Sequence, residues 1–395
     1  MRHPKSKLKE TAKMVLELMK ETLSARSFFV ASTKNERFVI LDVINEEGGC
    51  TIPHPFHSSI EMSYCSMVVS SMKPLLIKDS SKSLLVKSMK VTSDFSIGSY
   101  LGVPITIEDG TAFGTLCALD PSPNALSEQD IPILQRYANL IANSIELEEA
   151  FDKLATYEEK TKKELDLAQR VQQSVMNKPL DTEEIKVDYV YKASAHLSGD
   201  LCAWYEIEKG KYGVILLDVM GHGVSSALIG MAIRPALESI IKEVGEPYAV
   251  MNQINRLILN LFDEESTFSS FVTGIYLVVN MPLQQVDFLN AGHPPGILKD
   301  ECGAIFLERG TVPLGIQSTI PNQTRTVPFG KKGEIFLYTD GLLDMLYEEN
   351  KNTVIEIKEK YEQLVNVNAL GFFLEQAQAS ETISDDICMI SILTK

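Results

Sequence analysis

The chain has 395 residues, of which 45% are hydrophobic and 23% charged, and its formal net charge is −16. The length suggests two or three domains of ordinary globular composition. The acidic charge argues against nucleic-acid binding, and the apolar run at residues 214–217 is too short to span a membrane. The six cysteines form no Cys-x-x-Cys pair, and the basic, polar first ten residues are no secretory signal, so we expect a cytoplasmic protein without a zinc site.

The first part of the chain predicts a mixed domain of helices and strands. Residues 8–23 are predicted to form a helix, because apolar residues recur on one stripe among Lys and Glu. Strands are predicted at residues 28–30, 37–43, 100–107 and 112–119, the last two joined by a hairpin turn. Ser127 and Asp130 have the spacing of a capping box, which predicts the start of a long helix.

No helix breaker occurs from residue 145 until Pro179, so this helix is predicted to connect two domains. Apolar residues fit heptad positions at Leu147, Phe151, Leu154, Leu165 and Ala168. Glu158 and Thr161 interrupt this seam. We predict that the helix pairs with its twin in a homodimer; a solvated single helix is the alternative.

After Pro179 short strands dominate, with two or three helices between them. Strands are predicted at residues 186–193, 201–207, 212–217, 272–279, 285–290, 335–339 and 387–393. Helices are predicted at residues 224–241, 247–261 and 354–364. This pattern predicts an α+β domain with two antiparallel sheets and helices outside.

Four carboxylates lie at the edges of these strands. Asp218 and Asp340 end predicted strands beside glycines, Asp200 follows a glycine, and Asp385 precedes the last strand. One such carboxylate is a common turn residue, but four in order indicate a site for hard cations, Mg²⁺ or Mn²⁺. Two such ions about 3.5–4 Å apart can activate water to attack a phosphate ester, with no Ser or Cys nucleophile.

These carboxylates belong to an ordered set of motifs. The set comprises Ser198-Gly199-Asp200 and residues 218–228 (DVMGHGVSSAL), 290–295 (NAGHPP), 313–315 (PLG), 338–341 (YTDG) and 385–387 (DDI). The order resembles the SpoIIE/RsbU-type branch of the metal-dependent PPM, or protein phosphatase 2C-like, family over residues 165–395.

The resemblance implies an α-β-β-α sandwich with two Mn²⁺ or Mg²⁺ ions at one edge. Asp218 would bridge both ions and the Val219 carbonyl would contribute to one of them. Asp340 and Asp385 would hold one ion, and Asp200 would support the other through water. Such enzymes dephosphorylate phosphoserine or phosphothreonine, and in this branch the usual substrate is an anti-sigma-factor antagonist of the STAS type.

Three positions depart from the family pattern. Ser198 replaces a glycine, Ala203 stands where a second Asp is common, and Cys388 stands where Thr or Ser is usual. The four principal carboxylates are present, so the resemblance implies activity. His222 and His293 could act as general acids, but their tight-turn neighbours favour structural roles. Trp204 is interpreted as a packing residue.

The N-terminal half resembles a GAF domain over residues 8–148. The resemblance rests on residues 100–105 (YLGVPI), 113–120 (FGTLCALD), the capping box and the helix after it. It implies a domain that binds an unidentified small molecule or dimerises. We therefore predict a GAF domain at 8–148, a connecting coiled-coil helix at 149–178 and a phosphatase domain at 179–395.

Two other functions are compatible with parts of this pattern. A pseudophosphatase that binds and sequesters a phosphoprotein is the main alternative, and Ala203 is the mark in its favour. A GAF-linked nucleotide cyclase would also use paired carboxylates, but the order of the motifs argues against it.

Overall fold

The computed structural model describes residues 5–33, 37–59, 63–262, 270–308, 310–347, 353–364, 369–379 and 384–395. The chain divides into two compact units, Met1–Lys160 and Thr161–Lys395. The boundary falls inside a long helix, whose first part belongs to the first unit and whose last part belongs to the second.

The first unit is an antiparallel sheet with helices on its faces. Its elements in chain order are α1 (Lys5–Thr22), β1 (Ser27–Ser32), β2 (Arg37–Asn45), β3 (His57–Ser59), α2 (Tyr64–Ser71), β4 (Leu75–Ile77), α3 (Lys90–Asp94), β5 (Ser99–Thr106), β6 (Ala112–Asp120) and the start of α4 (Ile131–Ser174). Among the described residues the strand order is β3-β2-β1-β6-β5-β4. The predicted helix, strands and hairpin are therefore confirmed.

Both faces of this sheet are buried. On one face Phe28 and Leu116 pack with Leu16 of α1 and Ile141 of α4. On the other face Phe29 and its neighbours form a second apolar cluster. Successive residues of a strand point to opposite faces, so consecutive phenylalanines on β1 serve both clusters.

The predicted capping box is present at the start of the long helix. The Ser127 backbone N–H donates to Asp130 Oδ2 at 2.7 Å, and one 3₁₀ turn, Glu128–Asp130, leads into α4. The helix then continues without a break to Ser174, as its lack of Pro and Gly after residue 145 predicts.

The second unit consists of two sheets and the helices that cover them. Its elements after α4 are β7 (Leu180–Asp181), β8 (Ile185–Lys192), β9 (Leu201–Glu208), β10 (Lys211–Val219), α5 (Val224–Val244), α6 (Pro247–Asn260), β11 (Val272–Asn280), β12 (Gln285–Ala291), β13 (Gly296–Asp300), β14 (Gly303–Leu307), β15 (Arg325–Pro328), β16 (Glu334–Tyr338), α7 (Asp340–Met345), α8 (Thr353–Gln363), α9 (Ala369–Ala379) and β17 (Ile387–Thr394).

In the described part of this unit, one sheet has the order β15-β12-β11-β10-β9 and the other β14-β13-β16-β17-β8-β7. Cys202, Trp204 and Ile390 belong to the apolar cluster between the sheets. Leu201 and Ala203 belong to a cluster that also contains Ile233 of α5. A third cluster joins the second sheet to α8 and α9. These layers form the predicted α-β-β-α sandwich.

Helix α5 is apolar because it packs on the first sheet. Within the described part of the chain it is the one helix long and apolar enough to cross a membrane. Its residues Ile233, Leu237 and Ile241 have no exposed surface and belong to the cluster under that sheet. Core packing therefore accounts for its composition.

Candidate metal centre

The four predicted carboxylates come from the ends of elements in both sheets. Asp218 is the penultimate residue of β10, and Asp200 directly precedes β9 beside it. Asp340 is the first residue of α7, and Asp385 lies two residues before β17. Strand β16 ends at Tyr338, so Asp340 belongs to the following helix and not to the strand that the sequence predicts.

Asp200 is buried, with 3% of its surface exposed. Thr339 Oγ1 donates to its Oδ2 at 2.9 Å. Burial raises the pKa of the Asp200 carboxyl well above its usual range, and the negative charges of Asp218, Asp386 and Asp340 raise it further. A nearby cation would stabilise the ionised form of a carboxyl group in such surroundings.

The carboxyl groups of Asp218 and Asp340 interact with each other. Burial raises the pKa of Asp218 to about 7, helped by the charges of Asp340 and Asp385. The pKa of Asp340 is also raised, by desolvation of its carboxyl group and then by the charge of Asp385. Two ionised carboxylates that interact repel each other, and a bound cation would relieve that repulsion.

Glycines bring the backbone of these elements close together. A Cβ at Gly341 would lie 2.1 Å from the Asp386 carbonyl oxygen, so glycine lets the start of α7 approach the chain that carries Asp385. A Cβ at Gly199 would lie 3.0 Å from the Val219 carbonyl oxygen. Glycine at this position therefore lets the turn before β9 approach β10 and Ser226 of α5, whose Cβ would lie 2.8 Å from the added one.

Asp386 is a site residue to which the sequence analysis gave no role. It is 3% exposed, and its Oδ1 accepts hydrogen bonds from the Ser194 backbone N–H at 2.7 Å and the Ser194 hydroxyl at 2.8 Å. Its Oδ2 accepts from the Gly199 N–H at 2.8 Å. Asp386 thus fixes the turn that carries Asp200. The adjacent pair of Asp residues was the available signal.

Thr339 is a second residue that the sequence analysis passed over. Besides its bond to Asp200, its Oγ1 accepts the Cys388 N–H at 2.9 Å. The Thr339 N–H donates to the Cys388 carbonyl at 3.0 Å. One buried hydroxyl therefore joins β16, β17 and the turn before β9. No residue pattern along the chain pointed to this link.

Gln172, near the end of α4, contacts the same turn. It is 6% exposed, and its side-chain Nε2 donates to the Ser198 carbonyl at 2.8 Å. The Ser198 N–H donates back to Gln172 Oε1 at 3.3 Å. Ser198 Oγ in turn accepts the Asp200 N–H at 3.1 Å. The serine that departs from the family pattern therefore connects α4 to a predicted ligand.

Of the other residues discussed in the sequence analysis, one is exposed and three are buried. His222 is exposed in the loop after β10. His293 has no exposed surface, and its Nδ1 lies 3.0 Å from Thr273 Oγ1, which agrees with a structural role. Trp204 is buried, and its Nε1 donates to the Lys178 carbonyl at 3.1 Å, as expected of a packing residue. Ala203 is fully buried in the cluster under α5.

The donor set fits hard divalent cations. The oxygens come from carboxylates and a backbone carbonyl, which are the ligands that Mg²⁺ and Mn²⁺ prefer. Among the described residues, no three His, Cys, Asp or Glu side chains are grouped closely enough to hold a metal ion by themselves. Mg²⁺ and Mn²⁺ commonly complete their coordination shells with water, so fewer protein ligands are needed.

Comparisons with known proteins find similar sequences for parts of both units. Residues 208–395 match the model described as Stage II sporulation protein E (SpoIIE), and residues 7–145 match the GAF domain. Phosphoserine phosphatase RsbP of Bacillus subtilis (strain 168) is 33% identical over 245 residues, which cover 60% of this chain and 59% of RsbP. Phosphoserine phosphatase RsbU of the same organism is 26% identical over 192 residues, 47% of this chain and 55% of RsbU.

The chain thus spans less than two thirds of the length of these relatives. Among solved structures, the SiaA-PP2C domain of Pseudomonas aeruginosa matches with a TM-score of 0.50 and 19% identity. The match covers 60% of this chain and 98% of that domain. This similarity concerns the fold.

Proposed function

We propose that the chain, in which residues 7–145 match the GAF domain and residues 208–395 match the SpoIIE model, is a metal-dependent protein serine/threonine phosphatase of the PPM family. The supporting observation is that the charges of Asp218 and Asp340 raise the pKa of the buried Asp200 carboxyl, and that Asp340 also raises the pKa of Asp218. Such a group of acids is unfavourable by itself and favourable around divalent cations.

The residues have distinct roles in this proposal. Asp218 and Asp340 hold the cations together with Asp385, and the Val219 carbonyl adds one more oxygen. Asp200 would support one of the ions through water, and Thr339 donates to its Oδ2 and orients it. Two Mn²⁺ or Mg²⁺ ions would activate water and neutralise the phosphoryl group. Asp386 and Gln172 position the turn that carries Asp200.

The substrate is a phosphoserine or phosphothreonine on a partner protein. Both curated relatives are named phosphoserine phosphatases. By this relation we assign an anti-sigma-factor antagonist of the STAS type as the partner, in the cytoplasm. The GAF domain regulates the reaction through α4, and two copies of the chain pair along that helix.

The test is hydrolysis of p-nitrophenyl phosphate and a phosphoserine peptide by the purified chain, before and after metal removal. Activity should vanish with chelator and return with Mn²⁺, less well with Mg²⁺. Asp218→Asn and Asp340→Asn should each abolish turnover while circular dichroism stays unchanged. Glu206→Gln, at an exposed carboxylate on β9, is the control and should keep its activity.

Two outcomes would count against the proposal. Full activity of the metal-free protein would contradict the proposed dinuclear site. Tight binding of the phosphopeptide without turnover, at any Mn²⁺ concentration, would favour a pseudophosphatase that sequesters its partner.

A further inference from the structure

Two cysteines of the first unit lie close together inside the GAF domain. Cys65 is the second residue of α2, and Cys117 lies on β6. Their Sγ atoms are 3.6 Å apart, and the two side chains are 1% and 0% exposed. A disulfide has an S–S bond of about 2.05 Å, so the thiols need to approach by only about 1.5 Å to form one.

Hydroxyl groups surround the two sulfurs. The Tyr100 hydroxyl lies 3.2 Å from Cys117 Sγ and 3.8 Å from Cys65 Sγ. Thr115 Oγ1 lies 3.5 Å from Cys117 Sγ. The group is therefore a small polar network within an otherwise apolar cluster, and packing alone does not require such a network.

The network makes the two thiols chemically different. Burial raises the pKa of Cys65, but hydrogen bonds from Cys117, Thr115 and Tyr100 outweigh burial, so the pKa of Cys65 lies below its ordinary value. Burial raises the pKa of Cys117 well above its ordinary value, and so does the hydrogen bond to Cys65. The position of Cys65 at the start of a helix also favours a thiolate.

A cavity of about 50 Å³ adjoins Cys65 and Tyr100. Six of its thirteen lining residues are aromatic, including Phe38, Phe56 and Phe95. A single water needs about 10–15 Å³, so the cavity has room for a molecule of a few heavy atoms and none for a nucleotide. Its apolar lining favours an uncharged molecule.

We propose that Cys65 and Cys117 form a dithiol site that reacts with a small hydroperoxide, with Cys65 as the attacking residue and Cys117 as the resolving one. The Cys65 thiolate attacks one peroxide oxygen, the O–O bond breaks, and the leaving alkoxide or hydroxide takes a proton to become an alcohol or water. Cys65 becomes a sulfenic acid.

The second step closes the disulfide. Cys117 Sγ attacks Cys65 Sγ, the S–O bond breaks, and the departing hydroxide takes the Cys117 thiol proton to form water. The thiols lose two electrons in total and the peroxide gains two. The disulfide ties α2 to β6, and thiol reductants reverse it. A transient disulfide of this kind is compatible with a reducing compartment.

Oxidation of the full chain tests this site. The reduced protein is treated with one equivalent of hydrogen peroxide, alkylated and digested without reductant, and the peptides are identified by mass spectrometry. We expect Cys65 and Cys117 peptides joined and lighter by two hydrogens, with loss of the linkage after dithiothreitol. Exposed Cys302 is the internal control and should react more slowly.

Two variants separate the roles. Cys117→Ser should stop at a sulfenic acid on Cys65, which dimedone traps, and Cys65→Ser should leave Cys117 reduced. The wild-type peptide map does not depend on either variant folding. The proposal is overturned if peroxide oxidises Cys302 while Cys65 and Cys117 stay reduced, or if the disulfide that forms joins other cysteines.

Discussion

The Thr339 hydroxyl is a highly connected atom of the candidate metal centre. Its Oγ1 donates to Asp200 Oδ2 and accepts the Cys388 N–H, both at 2.9 Å. A valine side chain has the same shape as threonine, but its methyl group can form neither hydrogen bond. Cysteine replaces the usual Thr or Ser at position 388 of this chain. The link between β17 and Asp200 is therefore made by the hydroxyl of Thr339.

Thr339→Val should therefore lower both stability and catalysis. The change leaves a buried carboxylate and a buried N–H without this partner, which costs about 1–3 kcal/mol. Thr339→Ser keeps the hydroxyl and should stay close to the wild type. The measurements are urea denaturation and the Mn²⁺ concentration that gives half-maximal phosphatase rate. Equal Mn²⁺ curves for the two variants would show that the hydroxyl does not position Asp200.

Ala203 shows how the structure changes an expectation drawn from a motif. A carboxylate is common at this position in the family that the motifs resemble, where it would be available as a further metal ligand. In the fold Ala203 points to the cluster that contains Leu217 and Ile233, and it has no exposed surface. A carboxylate there would lie among aliphatic side chains.

Ala203→Asp should therefore destabilise the domain, by at least about 2 kcal/mol, because a buried acid must be desolvated or protonated. Ala203→Asn introduces a side chain of nearly the same size as Asp but without a charge, so comparing the two variants separates steric effects from the effect of charge. Thermal unfolding with and without Mn²⁺ is the measurement. A Mn²⁺-dependent gain in stability for the Asp variant alone would mean that position 203 does support an ion.

At the scale of elements, periodicity predicted the strands and helices with strong alternation or clear caps. In the second unit, strands β7, β13, β14 and β15 and helices α7 and α9 were missed. Strands β13 and β14 have only five residues each and begin with glycine. Strand β15 contains exposed Arg325 and Thr326, so its alternation is weak. Helix α7 has six residues, too few for a helical period to be recognised.

The carboxylates could be predicted because each follows a motif in the chain. The residues that position them could not, because their partners are distant in sequence. Asp386 bonds to Ser194 across 192 positions, and Thr339 bonds to Asp200 across 139. No local pattern encodes such contacts, which follow only from the pairing of β17 with β8 and β16.

The end of α4 is an element whose contact with the site can be tested directly. Gln172→Ala removes both hydrogen bonds to Ser198 and leaves two buried backbone groups without this partner. Gln173→Ala, at the exposed neighbour, is the matched control. We expect the first variant to need more Mn²⁺ and to have a lower kcat with little change in KM for a phosphopeptide, and the second to behave as wild type.

A higher Mn²⁺ requirement and a lower kcat at an unchanged KM would distinguish a residue that positions Asp200 from one that only stabilises the fold. A purely structural residue would lower the melting temperature without changing the Mn²⁺ dependence of the folded enzyme. If Gln172→Ala melts earlier but keeps the wild-type Mn²⁺ curve, the helix end supports the fold and does not position Asp200.

At the scale of the whole molecule, exposed apolar residues of α4 would form the interface of the proposed dimer. Leu147, Phe151 and Leu154 are 45%, 56% and 53% exposed within one chain, as a seam awaiting a partner helix would be. Leu165 and Ala168 are half-buried within the chain itself. The seam predicted from the heptads is therefore restricted to residues 147–154, where a pairing of a few kcal/mol could be biased by a ligand.

Phe151→Glu combined with Leu154→Glu places like charges in this seam and should shift the protein toward monomer in sedimentation while changing the phosphatase rate. Lys153→Gln combined with Thr156→Glu changes the net charge equally on the opposite side of the helix, so it should leave both properties unaltered. Lys7 Nζ lies 5.9 Å from the Phe151 ring centroid, so Lys7→Ala is measured alongside to separate that contact from pairing. A double-Glu variant that remains dimeric with wild-type activity would show that α4 does not transmit the GAF state, and pairing would then have to come from the GAF faces.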